Sequence, residues 1–207
     1  MKKNFPDENF RAYVKTLPGG ENGHFTEEDI QAITEIDCSL KNIHDMTGIE
    51  CFSNLRTLIC FLNSLASLDV SPVKMLNRLD CCGNNLSYIN LSHLPFLRCL
   101  KCESNNLSSL DVSQCTNLED IHCSNNHLET LDVSHCSKLI HLWCHRNQIA
   151  TLNVSNCSTL ETLYCYDNQL KTLNLLSCTG LKTVVADGNF LCEIDTSKCT
   201  GLEVAYI

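Results

Sequence analysis

The sequence predicts a solenoid with a parallel β-sheet along one face, and three periodicities carry that prediction. Leucine stands at Leu55, Leu76, Leu97, Leu118, Leu139, Leu160, Leu181 and Leu202, 21 residues apart without one insertion. Asparagine keeps the same interval at Asn63, Asn84, Asn105, Asn126, Asn147, Asn168 and Asn189. Cysteine does so twice, first at Cys60, Cys81, Cys102, Cys123, Cys144 and Cys165 and again at Cys115, Cys136, Cys157, Cys178 and Cys199. A residue type held at one phase of every repeat meets one environment on every turn, which is the behaviour of stacked units.

Written out, the unit is LxxLxCxxNxLxxLDVSxCxx, as in LEDIHCSNNHLETLDVSHCSK from Leu118 and LIHLWCHRNQIATLNVSNCST from Leu139. Seven units run in register over residues 55 to 201. The fourth phase is Leu58, Leu79, Leu100, Ile121, Leu142, Leu163 and Val184, and alternation between the third and seventh phases predicts a short strand. The asparagine that follows is placed to satisfy backbone groups as the chain leaves the strand. Inside one turn, Leu110, Val112 and Cys115 echo the spacing of Leu100, Cys102 and Asn105, so the second wall is expected to be strand-like or irregular rather than helical.

Sixteen cysteines fall mostly at the repeat interval, and the one CxxC, Cys99 to Cys102, joins an off-series position to a ladder one, which argues against both a disulfide framework and a zinc site. Ladder thiols on adjacent turns stand about one strand spacing apart, ~4.8 Å, beyond the ~3.8 Å usual between the Cβ atoms of a disulfide. They are read as free, small buried hydrophobes. Cys82 and Cys99 fall outside both series, on columns expected to be exposed, and are candidates for reactive thiols.

A hydrophobic content of 43% with 19% charged residues is ordinary for a globular chain. The net charge of -9 leaves no broad basic face for phosphates, so nucleic acid is excluded as a partner. No run approaches the ~18 apolar residues of a membrane span, and the opening MKKNFPDENF has no apolar stretch of signal-peptide length, so no membrane insertion is expected.

The repeat resembles the bacterial leucine-rich-repeat class with a nested 21-residue unit, over about residues 33 to 207. The segment NIHDMTGIECFSNLRTL, Asn42 to Leu58, is similar to the opening repeat of internalin-like proteins, where an ITDLTGLE-type phrase leads into the first regular turn. The resemblance implies a leucine-rich-repeat solenoid with its parallel sheet on the concave face, and a secreted or cell-surface setting.

Residues 1 to 37 are expected to form a helical cap over the solenoid of residues 38 to 207. Phe5, Phe10, Tyr13, Val14 and Leu17 give a first helix its apolar face after Pro6 and Asp7. Thr26 reads as the N-cap of a second, with Glu27, Glu28 and Asp29 in its first turn and Ile30, Ile33 and Ile36 inward. This helix–loop–helix resembles the amino-terminal segment of many such bacterial proteins, whose loop often reads as a calcium-binding DxDxDG. Aligned on Gly23, the ligand positions here are Pro18, Gly20, Asn22 and Asp29, which offer one acid and one amide where calcium takes several oxygens. No metal and no cofactor is expected.

The middle column of the predicted sheet reads Ile59, Asp80, Lys101, His122, Trp143, Tyr164, Val185, Tyr206. Around its one tryptophan lie Asp120, His122, His141, Trp143, His145, Arg146, Tyr164 and Tyr166, the candidate ligand-binding residues. Rigid rings rimmed by Arg and His give large contact area at low entropic loss. His141 and His145 sit ~13 Å apart along one strand, too far to share an ion. Cys144 beside His145 suggests a nucleophile and base, yet alternation sends one inward and the other outward. No GxSxG, HExxH, P-loop or dinucleotide fingerprint is present, and no catalytic residue is assigned. The expected function is therefore non-enzymatic binding of a protein or glycan. A second expectation is a self-associating scaffold or homodimer, formed through the strand edge at the final GLEVAYI.

Overall fold

Three residues suffice for each strand of this fold, because only the central side chain of the three has to be buried. The computed structural model describes residues 4–20 and 25–207. In chain order its elements begin with two helices, α1 (Glu8–Val14) and α2 (Glu27–Ala32). The strands follow: β1 (Glu35–Asp37), β2 (Thr57–Ile59), β3 (Ser67–Asp69), β4 (Arg78–Asp80), β5 (Tyr88–Asn90), β6 (Cys99–Lys101), β7 (Asp120–His122), β8 (Thr130–Asp132), β9 (His141–Trp143), β10 (Thr151–Asn153), β11 (Thr162–Tyr164), β12 (Thr183–Val185) and β13 (Val204–Tyr206). Nine of them form one parallel sheet in the order β1-β2-β4-β6-β7-β9-β11-β12-β13. The chain is thus a leucine-rich-repeat solenoid of about eight turns. No helix among the described residues is long and apolar enough to cross a membrane.

Register follows the leucine phase without slippage. Ile36, Leu58, Leu79, Leu100, Ile121, Leu142, Leu163 and Val184 pair in one line across β1 to β12, and all are fully buried. A one-residue slip would turn this whole line to solvent, which fixes the pairing. The strands are shorter than the alternation suggested, since pairing ends at the fifth phase and the ladder cysteine lies just beyond it. Cys60, Cys81, Cys102, Cys123, Cys144 and Cys165 are nevertheless completely buried.

Each asparagine ties two turns together. Asn84 accepts the Leu65 N–H through Oδ1 at 3.0 Å, while Nδ2 donates to the carbonyls of Cys60 and Cys81, both at 3.0 Å. The same three bonds recur at Asn105, Asn126, Asn147, Asn168 and Asn189. One side chain thereby closes the backbone account at a corner where no ladder bond is available. Just before it the chain turns through a left-handed residue, with φ between 51° and 66° at Leu62, Gly83, Ser104, Asn125, Arg146, Asp167 and Gly188.

The second wall is only partly strand. β3 pairs with β5 and β8 with β10, while residues 109–111 and 172–174 lie in no strand. What regularises this wall is the acidic or amide residue of the DVS phrase. Asp69, Asn90, Asp111, Asp132, Asn153 and Asp195 each accept the N–H of the serine two residues on, at 2.8–3.1 Å.

At the amino end, Asp7 caps α1 through the Phe10 N–H at 2.8 Å, and its other oxygen accepts the N–H of His44 at 2.8 Å and of Asp45 at 3.3 Å. Burial pushes this carboxyl up, but those backbone donors outweigh it and hold it below the ordinary range. Phe5 and Phe25 pack on Phe52 of the first turn, with ring centroids 6.2 and 6.0 Å apart. α2 is shorter than its apolar spacing implied. It stops at Ala32, and Ile36 belongs to β1, because the sheet edge offers Glu35–Asp37 a partner in β2 that outweighs one more helical turn.

Candidate functional site

A parallel sheet of short strands stacks like residues of neighbouring turns directly over one another, so aromatic side chains at one phase must meet. His122 on β7, Trp143 on β9 and Tyr164 on β11 share one line of the register. The imidazole lies on the indole with centroids 4.1 Å apart and planes 16° from parallel. Trp143 and Tyr164 follow at 5.8 Å, tilted by 48°. Two residues further along, His145 stacks on Tyr166 at 4.3 Å and 11°. The Arg146 guanidinium stands 5.9 Å from the Tyr166 centroid and 3.6 Å from the Asp167 carboxylate. Asp120 and His141 pair in register one column over, at the edge of these stacks.

The rings are less open than the sequence suggested. His122 was expected on an exposed column but is only 8% accessible, because Trp143 covers one face and Glu103 approaches Nδ1 to 3.4 Å. Trp143, Tyr164 and Tyr166 are half-buried. The Trp143 Nε1 and His145 Nδ1 atoms are enclosed without a hydrogen-bond partner. Burial, and then the nearby Arg146 charge, hold His145 below the usual imidazole range, so it is neutral at pH 7.

Thiol chemistry is suppressed throughout this face. Cys144 lies fully inside and burial pushes its thiol well up, as alternation against His145 required. Cys82 and Cys99, read as candidate reactive thiols, are half-buried and are pushed up as well. For Cys82, burial acts first and the carboxylate of Glu103, which accepts from Sγ at 2.7 Å, acts second. For Cys99, burial outweighs Arg78, whose guanidinium lies 3.4 Å from Sγ. The most open thiol is Cys192, which the repeat pattern did not single out.

Asn22 and Gly23 lie outside the described residues, and the Asp29 carboxylate is engaged by Thr26, accepting its N–H at 2.8 Å and its hydroxyl at 2.7 Å. Among the described residues no group of three or more His, Cys, Asp or Glu is arranged to hold a metal.

No family model matches the chain. Its fold superposes on the functional domain of internalin J from Listeria monocytogenes, a domain described as including a cysteine ladder, with a TM-score of 0.89 and 34% identity over 97% of this chain. This chain is an internalin-like leucine-rich-repeat protein. The internalin-like chain is also 38% identical to Internalin J of L. monocytogenes serotype 4b over 68 residues, 32% of its own length. A solved structure of YopM, a leucine-rich effector protein from Yersinia pestis, matches at TM-score 0.64 and 27% identity over 69% of it. The chain spans 45% of the internalin J domain, 40% of the YopM chain and 7% of the whole Internalin J.

Glu103 is the site residue that sequence reasoning missed, and Cys82 was singled out as a candidate reactive thiol rather than for its bond to Glu103. Both lie on the column beside the stack, and the signal available for Glu103 was diagonal adjacency, since it stands one turn before His122 and two phases later in its own turn.

Proposed function

We propose that this chain is a non-enzymatic protein-binding module of a bacterial surface or secreted protein, and that its partner docks on the main-sheet face around Trp143. One observation carries the reading: the main-sheet face gathers His122, Trp143, Tyr164, His145 and Tyr166 into two adjoining stacks on a rigid sheet. Prestacked rings lose little freedom on binding, so their contact area converts efficiently into affinity. The likeness to internalin J and to a leucine-rich effector supports the interaction class. Asp120, His141 and Arg146 form the polar rim in this reading.

The test uses the immobilised chain to capture proteins from host-cell and bacterial-envelope extracts, beside a Trp143→Ala/Tyr164→Ala variant. Losing an aromatic anchor at an interface centre costs about 2 kcal/mol or more, roughly thirty-fold in affinity. Partners captured by the wild type should therefore be lost from the variant. The same partners retained in full would overturn the proposal, and binding seen only on a glycan array would reassign the face to sugars.

A further inference from the structure

The recognition stack does not stand on its own strands. His122 touches Trp143 with one face, and its Nδ1 lies 3.4 Å from Oε1 of Glu103 on the preceding turn. The other oxygen of that carboxylate accepts the Cys82 thiol at 2.7 Å, one turn further back. Burial alone would raise the Glu103 carboxyl, yet His122 and Cys82 together hold it below the ordinary range, so it is an anion at pH 7. Cys82 keeps its proton for the same reasons that deny it reactivity, and a protonated thiol facing a carboxylate donates to it. The three groups lie on successive turns and converge on one carboxylate.

We infer that Glu103 is the positioning residue of the Trp143 face: anchored by the Cys82 thiol, it holds the His122 imidazole flat against the indole and so fixes the orientation of the ring that a partner meets. A carboxylate bound to one imidazole nitrogen sets both the tautomer and the plane of the ring, as it does for histidines in metal and catalytic sites. Without it, His122 is free to rotate about its side-chain bonds, and the indole loses the plate on its closed side. The recognition surface would then be organised from β4 onward, two turns ahead of its first aromatic residue. The exposed-column position of Cys82 also gains a reason, since an apolar side chain there would leave the carboxylate without its second donor.

This inference rests on the reading of the Trp143 face as the binding surface, but it is tested on the free protein. Trp143 is the one tryptophan in the chain, so emission excited at the red edge, where tyrosine does not absorb, reports on this ring alone. His122→Ala defines the emission of the unstacked indole. Glu103→Met keeps the bulk of the side chain and removes the acceptor, and it should reproduce the yield and wavelength of His122→Ala. Glu103→Gln keeps an acceptor oxygen for Nδ1 and should stay near the wild type. Cys82→Ala should shift part of the way, with Cys82→Ser restoring the signal through its hydroxyl. Melting curves of each variant separate these shifts from unfolding. Equal emission for Glu103→Met and Glu103→Gln, or an unchanged signal in His122→Ala, would overturn the inference. Neither outcome depends on a partner, so failure here leaves the binding proposal standing, and failure of the capture experiment leaves the emission test intact.

Discussion

Replacing Asn126 with alanine isolates the contribution of one rung of the asparagine ladder. The side chain accepts the Leu107 N–H at 3.0 Å and donates to the carbonyls of Cys102 at 3.0 Å and Cys123 at 3.1 Å. These three losses are not equal. The Cys102 carbonyl still receives Asn105, and the Cys123 carbonyl still receives Asn147, both at 3.1 Å. The Leu107 N–H has only the amide oxygen, and an orphaned buried donor costs about 1–3 kcal/mol. Each carbonyl that keeps one partner of two loses about 0.5–1 kcal/mol more. The sum is about 2–5 kcal/mol, which for a chain of this length lowers Tm by roughly 4–20 °C. Urea unfolding followed by circular dichroism measures it, with the midpoint falling at unchanged slope. Asn126→Asp sharpens the test, for it keeps the acceptor but turns a carboxylate oxygen toward two carbonyls. It should be less stable than Asn126→Ala at pH 7, and should recover relative to it as acid protonates that carboxylate and turns it into a donor. A loss within about 0.5 kcal/mol for Asn126→Ala, the scatter of ordinary surface changes, would refute this account of the ladder.

Three further outcomes follow from the same geometry. Leu142→Ala empties the centre of β9 and should cost about 2–5 kcal/mol in urea unfolding, whereas Lys138→Ala at the exposed turn before it should cost under about 0.5 kcal/mol. The Asp7 carboxyl lies below its ordinary value of 3.8 in the folded chain, so its stabilisation is present above that value and is lost as pH falls through the lower folded one. Asp7→Asn should accordingly melt earlier than the wild type at pH 7, and the difference in Tm should close in strong acid; a gap that persists there would assign the effect to something other than this charge. Cys192 is exposed while the ladder thiols are buried, so a thiol reagent on the native protein should give a prompt phase that Cys192→Ser removes, with the ladder reacting only in denaturant.

Much of this fold was legible in the residues because a solenoid writes each environment several times over. The phase shared by Leu58 and its successors announced a buried strand centre, and the asparagine and cysteine columns announced their own burial in the same way. Ile36 was harder, since its spacing from Ile33 fits a helical face and a strand interior alike, and only the free edge of β2 decides between them. The DVS phrase carried a turn that periodicity could not reveal, because the bond from Asp111 to Ser113 is local and has no hydrophobic signature. At the candidate site, alternation placed the rings of Trp143 and Tyr164 on one face, but stacking then covered His122, a consequence of side chains that column membership does not encode. Glu103 escaped notice, and Cys82 was read as a reactive thiol rather than as its partner, for a related reason. The contact from Glu103 to His122 runs diagonally across turns, whereas a periodic reading compares positions of equal phase, and at equal phase Cys82 and Glu103 share a column but no residue type.

Sharing each cysteine carbonyl between two successive asparagines has a consequence for how such a chain can change in length. Removing one residue anywhere in a turn would bring the wrong phase to every rung beyond it. Excising 21 residues, for instance from Leu139 to Thr159, would instead present Asn168 to the carbonyl that Asn147 had held, with leucine, cysteine and asparagine again in step. The molecule is therefore quantised: it can be shortened or extended by whole turns, and the distance between its cap and its aromatic face is adjustable only in those steps.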